Sequence, residues 1–82
     1  MPNKKIAPRP LFKIAEEIKQ DWKNPYFGAV QHLSAMATLD SIDSMYLHDS
    51  AQSVVLYFLA NAGTWRGETA RRIKKELKDM SK

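Results

Sequence analysis

Cysteine is absent, which excludes disulfide staples and thiolate metal sites and fits a reducing compartment. Glycine is scarce, at three residues in 82, and three of the four prolines fall within the first ten positions. Beyond Pro10 the chain therefore holds few of the residues that interrupt helices. No apolar run is long enough to span a bilayer, the longest being Val54 to Ala60. No apolar segment precedes Pro8, so no secretory signal is expected, and the expected location is cytoplasmic.

Lysine and arginine are missing from one long stretch. Residues 24–65 contain neither and carry three aspartates, a net −3. Residues 1–23 carry +3 and residues 66–82 carry +4, so two basic ends flank a charge-poor middle within a total of +4. With 44% hydrophobic residues and 27% charged, the composition is that of a folded domain rather than a disordered chain.

The first ten residues, with their prolines, predict a mobile basic arm that ends where Pro10 opens a helix. Residues 11–82 are expected to form a single helical domain. Leu11, Ile14, Ala15, Ile18 and Trp22 recur at spacings of three and four, which predicts a first helix from Leu11 to about Lys23, stopped by Pro25. A second helix is expected from about Ala29 to Leu39, with Val30, Leu33, Met36 and Ala37 inward. Residues 41–47 read as a loop or as a short extra helix with Asp40 as its cap.

Asp49 and Gln52 stand at capping-box spacing before a third helix reaching Ala62. Its β-branched and aromatic segment Val54 to Leu59 competes as a strand, but no second strand is available to pair with it. As a helix it places Val54, Val55, Phe58 and Leu59 on one face and Leu56, Tyr57 and Ala60 on another. Apolar character nearly all round predicts central burial or cover by another subunit. Gly63 is the expected C-cap and Thr64 the cap of the last helix, which runs to about Met80. The fold class is thus all-α, a compact bundle of four short helices, or five if residues 41–47 coil.

The last helix divides into three sectors. Ala70, Ile73, Leu77 and Met80 form an apolar stripe. Arg71, Lys74, Lys75 and Lys78 form a basic sector without acids, a candidate surface for a nucleic-acid backbone whose bland alternative is a solvated face. In the third sector Arg72 stands four residues from both Glu68 and Glu76, which predicts local charge matching. A helix-turn-helix reading around Gly63 fails, because Leu59 occupies the position expected to be small and Thr69 and Arg72 stand where packing residues belong.

Tyr26 and Trp65 are the aromatics least tied to a periodic stripe, and are candidates for a partner-binding patch. Asp40, Asp43 and Asp49 lack the spacing, the glycine and the glutamate of a calcium loop, and His32 and His48 lack ligand spacing. No nucleophile elbow, phosphate loop or zinc-protease motif is present, and the adjacent Glu16 and Glu17 splay apart as solvated side chains. No cofactor, metal, small-molecule substrate or enzymatic activity is therefore expected.

The segments DWKNPYFGAV, ATLDSIDSMY and SVVLYFLANAGTWRGETARRIKKEL resemble a family of short bacterial proteins associated with phages, plasmids and other mobile elements. The resemblance spans roughly residues 14–78 and is most recognisable at Trp22, Tyr26, Phe27, Gly28, Asp40 and Trp65 to Glu68. It implies a compact accessory protein of a mobile element and no particular activity. The leading expectation is a protein-interaction module that self-associates or binds a protein partner through the charge-poor middle, with nucleic-acid binding as the alternative.

Overall fold

A chain with little glycine and with apolar residues at spacings of three and four folds as helices. The computed structural model describes residues 9–42, 45–46 and 49–81. Four helices form: α1 (Leu11–Asp21), α2 (Phe27–Met36), α3 (Ala51–Ala60) and α4 (Glu68–Met80). Every described regular element longer than two residues is helical. The exception is a short antiparallel ladder of β1 (Met45–Tyr46) and β2 (Asp49–Ser50), with Met45 opposite Ser50 and Tyr46 opposite Asp49. Residues 1–8 of the expected basic arm lie outside the described residues.

Pro10 holds the N-cap position of α1, and its carbonyl accepts from Lys13 and Ile14. The free N–H of Phe12 is satisfied by the Leu39 carbonyl at 3.0 Å, which ties the start of α1 to the turn after α2. The helix stops at Asp21, two residues before the expected Lys23. Trp22 leaves the helical conformation at φ −100° and ψ 89°, and its ring enters the core. The α2 helix begins two residues earlier than expected, directly after Pro25 and Tyr26, and ends at Met36 rather than Leu39. Its buried residues are Ala29, Leu33, Ala35 and Met36. Val30, expected inside, is exposed, because the small side chains Ala29 and Ala35 line the close approach instead.

The strand alternative for Val54 to Leu59 is settled in favour of α3. Its cap is Ser50 rather than Asp49, with the Ser50 hydroxyl accepting from the Ser53 N–H at 3.1 Å. The extended pairing at 45–46 also removes the fifth helix considered for residues 41–47 among the described residues. At the other end Asn61, not Gly63, holds the C-cap position. The α4 helix starts at Glu68 instead of near Thr64, with Gly67 as its N-cap at φ 115° and ψ 179°, a conformation open in practice only to glycine.

One core cluster joins all four helices. It contains Leu11, Ile14 and Ile18 of α1, Leu33 and Met36 of α2, Val55 and Phe58 of α3, and Ile73 and Leu77 of α4. The helix α1 packs on α2 and α4, while α3 packs on α2 and α4. Gln52 donates to the Ser81 carbonyl, joining the start of α3 to the end of α4. No described helix is long and apolar enough to cross a membrane.

Candidate functional site

Neither α2 nor α3 contains a single Asp, Glu, Lys or Arg, so nothing these helices leave exposed carries a carboxylate, ammonium or guanidinium group. They lie against each other along two contacts. The Gly28 position of α2 meets the end of α3, where a Cβ on the glycine would stand 2.6 Å from the Tyr26 ring and 2.8 Å from Asn61 Oδ1. One turn on, His32 faces Tyr57 with ring centroids 5.5 Å apart. Residues four apart on α2 thus meet residues four apart on α3 in reverse order, an antiparallel pairing with small residues at the seam.

With that seam and the core fixed, helical periodicity sends the remaining residues outward. Phe27 is 81% exposed, Tyr57 53% and Leu56 49%. Tyr26 rests against Phe27 at 4.8 Å between centroids and reaches the α3 end, where it lines a shallow groove with Ala60, Asn61, Gly63 and Thr64. The outer side of the pair therefore presents a strip of Phe27, Tyr26, Ala60, Tyr57 and Leu56. Its Tyr26 component is one of the two expected partner-binding residues. Leu56, Tyr57 and Ala60 are the second apolar face expected on α3, whereas Phe27, expected in the connector, joins them because α2 starts at Phe27.

Trp65, the other expected partner-binding residue, is corrected by the structure. It is 2% exposed and belongs to an aromatic group with Trp22 and Phe58. Its indole stacks on Trp22 at 5.7 Å and 10° between planes, and its Nε1–H donates to Asp21 at 2.8 Å. Lack of helical periodicity marked Trp65 as unassigned; it lies in the connector before α4, which folds back over the end of α1.

The basic sector is divided by local partners. Lys75 pairs with Asp79 at 3.0 Å, so it is not the unmatched cation expected. Lys74 is half-buried, donates to the Trp65 carbonyl at 2.7 Å, and holds its ammonium 5.9 Å from the centroid of the Trp65 ring. Burial pushes the Lys74 ammonium below the ordinary lysine range, and the nearby charges of Lys78 and Arg66 push it further the same way. Arg66 precedes α4 and was not in the expected set, because sector analysis stopped at the helix. Among the described residues no carboxylate pairs with Arg66, Arg71 or Lys78.

Asp79 pairs along α4, but Glu76 and Arg72 are used across segments. Arg72 pairs with Glu17 of α1, and Arg9 bridges Glu17 at 2.9 Å and Glu76 at 2.8 Å. This corrects both the Glu68–Arg72–Glu76 matching and the solvated reading of Glu17, because α1 lies alongside α4. Hydrogen bonds from Arg72, and next from Arg9, hold the Glu17 carboxyl below its ordinary range. The bond to Glu76 raises the already basic Arg9 further. Comparison with known proteins leaves these two surfaces to be read from their own chemistry: no protein-family model, no curated protein and no solved structure matches this chain.

Proposed function

We propose that this chain is a non-enzymatic protein-association module, a small helical bundle whose outer α2–α3 strip joins a second copy of itself. The observation that carries the reading is the uncharged aromatic strip of Phe27, Tyr26, Tyr57 and Leu56, presented by a protein whose basic residues all lie elsewhere. Exposed aromatic side chains of this kind supply most of the binding energy of protein interfaces. Two copies apposed about a two-fold axis bury strip against strip with no charge to desolvate, and their positive ends need not meet. The resemblance to proteins of phages and plasmids supports placing it as a cytoplasmic accessory protein of a mobile element.

Sedimentation velocity over a wide concentration range tests this. The wild-type protein is expected to pass from monomer to dimer. Phe27→Asp and Leu56→Asp place a charge on the strip away from the His32–Tyr57 contact of the seam, and each is expected to weaken association at least about 30-fold. A wild-type protein that remains monomeric at millimolar concentration, or a dimer indifferent to both substitutions, overturns the reading.

A further inference from the structure

A second, independent surface stands on α4. Arg71, Lys74 and Lys78 lie along one side of the helix, and Arg66 approaches Lys74 from the connector. From Arg71 to Lys78 is seven residues, about 10 Å along the helix axis. We propose that Arg66, Arg71, Lys74 and Lys78 form a binding site for the phosphate backbone of a nucleic acid.

Three features carry this beyond a solvated basic face. The three exposed cations have no carboxylate partner among the described residues, whereas Arg9, Arg72 and Lys75 each have one. Lys74 is fixed in place by the Trp65 carbonyl and ring, so part of the site is ordered before any ligand arrives. Its ammonium is crowded by like charges and partly stripped of water, a state that a phosphate oxygen relieves.

The same geometry disfavours a lipid surface. The apolar stripe of α4, Ala70, Ile73 and Leu77, is buried in the core, and Trp65 is buried beneath Lys74. Among the described residues, α4 carries no exposed large apolar side chain to enter a bilayer, as an interfacial helix requires. The site lacks the asparagine and glutamine side chains that read adenine edges, and its cations can contact phosphates of any sequence.

The test uses the full chain and a labelled duplex DNA of mixed sequence, followed by fluorescence anisotropy at several salt concentrations. Four phosphate contacts give a slope that weakens affinity about 150-fold when salt rises from about 50 to 200 mM. Arg71→Ala with Lys78→Ala removes two exposed contacts and is expected to reduce that dependence to about 12-fold while weakening binding at low salt. Lys13→Ala with Lys19→Ala, on exposed positions of α1, is the matched control and should leave the slope unchanged. Circular dichroism of each variant confirms that it folds. Absence of duplex binding at low salt, or a slope equally reduced by both double variants, overturns the site. Tighter binding to phosphatidylserine vesicles than to DNA also overturns it.

Discussion

Removing Trp65 tests whether the connector before α4 is part of the core or a surface loop. The indole stacks on Trp22, meets Phe58 edge-on and hydrogen-bonds Asp21, so Trp65→Ala loses a large buried ring and opens a cavity. Large aromatic truncations of this kind cost about 3–5 kcal/mol. A domain of this length has only about 4–12 kcal/mol of stability, so the variant should lose between about a quarter and all of it. Trp65→Phe keeps one ring in the stack and loses the N–H donor, for an expected cost of about 1–2 kcal/mol. Asp21→Ala strands the same N–H and should cost a similar amount, about 1 kcal/mol or more. Because the two residues share one bond, the double variant should fall short of the sum by about 1 kcal/mol. Urea unfolding followed by circular dichroism measures all of these without relying on tryptophan emission, and the denaturant slope should stay constant. A Trp65→Ala cost below about 1 kcal/mol, or strict additivity of the other two, would refute the packing described.

Four further outcomes follow from single contacts. Gly67→Ala should destabilise by about 1–3 kcal/mol in thermal unfolding, although nothing lies within 4 Å of an added Cβ, because the backbone conformation itself is the obstacle. Ser50→Ala removes the α3 cap and should cost about 1 kcal/mol by the same measurement. Gly28→Ala lacks the usual helix-forming benefit of about 1 kcal/mol, because the new methyl displaces Tyr26 and the Asn61 side chain that donates to the Tyr57 carbonyl. Its unfolding midpoint should not rise. The Glu17 carboxyl is held below its ordinary range, so its ion pairs contribute fully above the ordinary carboxylate pKa and are lost as pH falls through the lowered value. Glu17→Gln should flatten the acid limb of a stability–pH curve, by about 1 kcal/mol or less given the exposure of the pairs.

The helical periodicity of α1, α3 and α4 was legible because each buries residues at regular three- and four-residue spacing, from Leu11 to Ile18, Val54 to Phe58 and Ala70 to Leu77. The inward face of α2 was less so, since alanines make the contacts and Val30 does not. Caps were misplaced by one to three residues: Ser50 stands in place of Asp49, Asn61 of Gly63 and Gly67 of Thr64. Long-range pairing was invisible. Nothing in local spacing shows that Arg72 reaches Glu17, that Arg9 takes Glu76, or that Trp65 folds back onto Trp22. Of the candidate sites, the charge-poor character of the middle was plain in the sequence. Which of its aromatics remain outside depended on the α2–α3 seam. The basic sector was equally plain, but Lys75 left it through a pair with Asp79 one turn on, and Arg66 joined it as a charge close to Lys74.

The central claim is that the α2–α3 strip is the surface through which this protein associates. A dilution series of isotope-labelled protein, followed by amide and aromatic NMR shifts, tests it at residue level. Concentration-dependent shifts are predicted at Tyr26, Phe27, Leu56, Tyr57 and Ala60, with Arg71 and Lys78 unchanged. Shifts confined to α4, or none across the series, would contradict the claim.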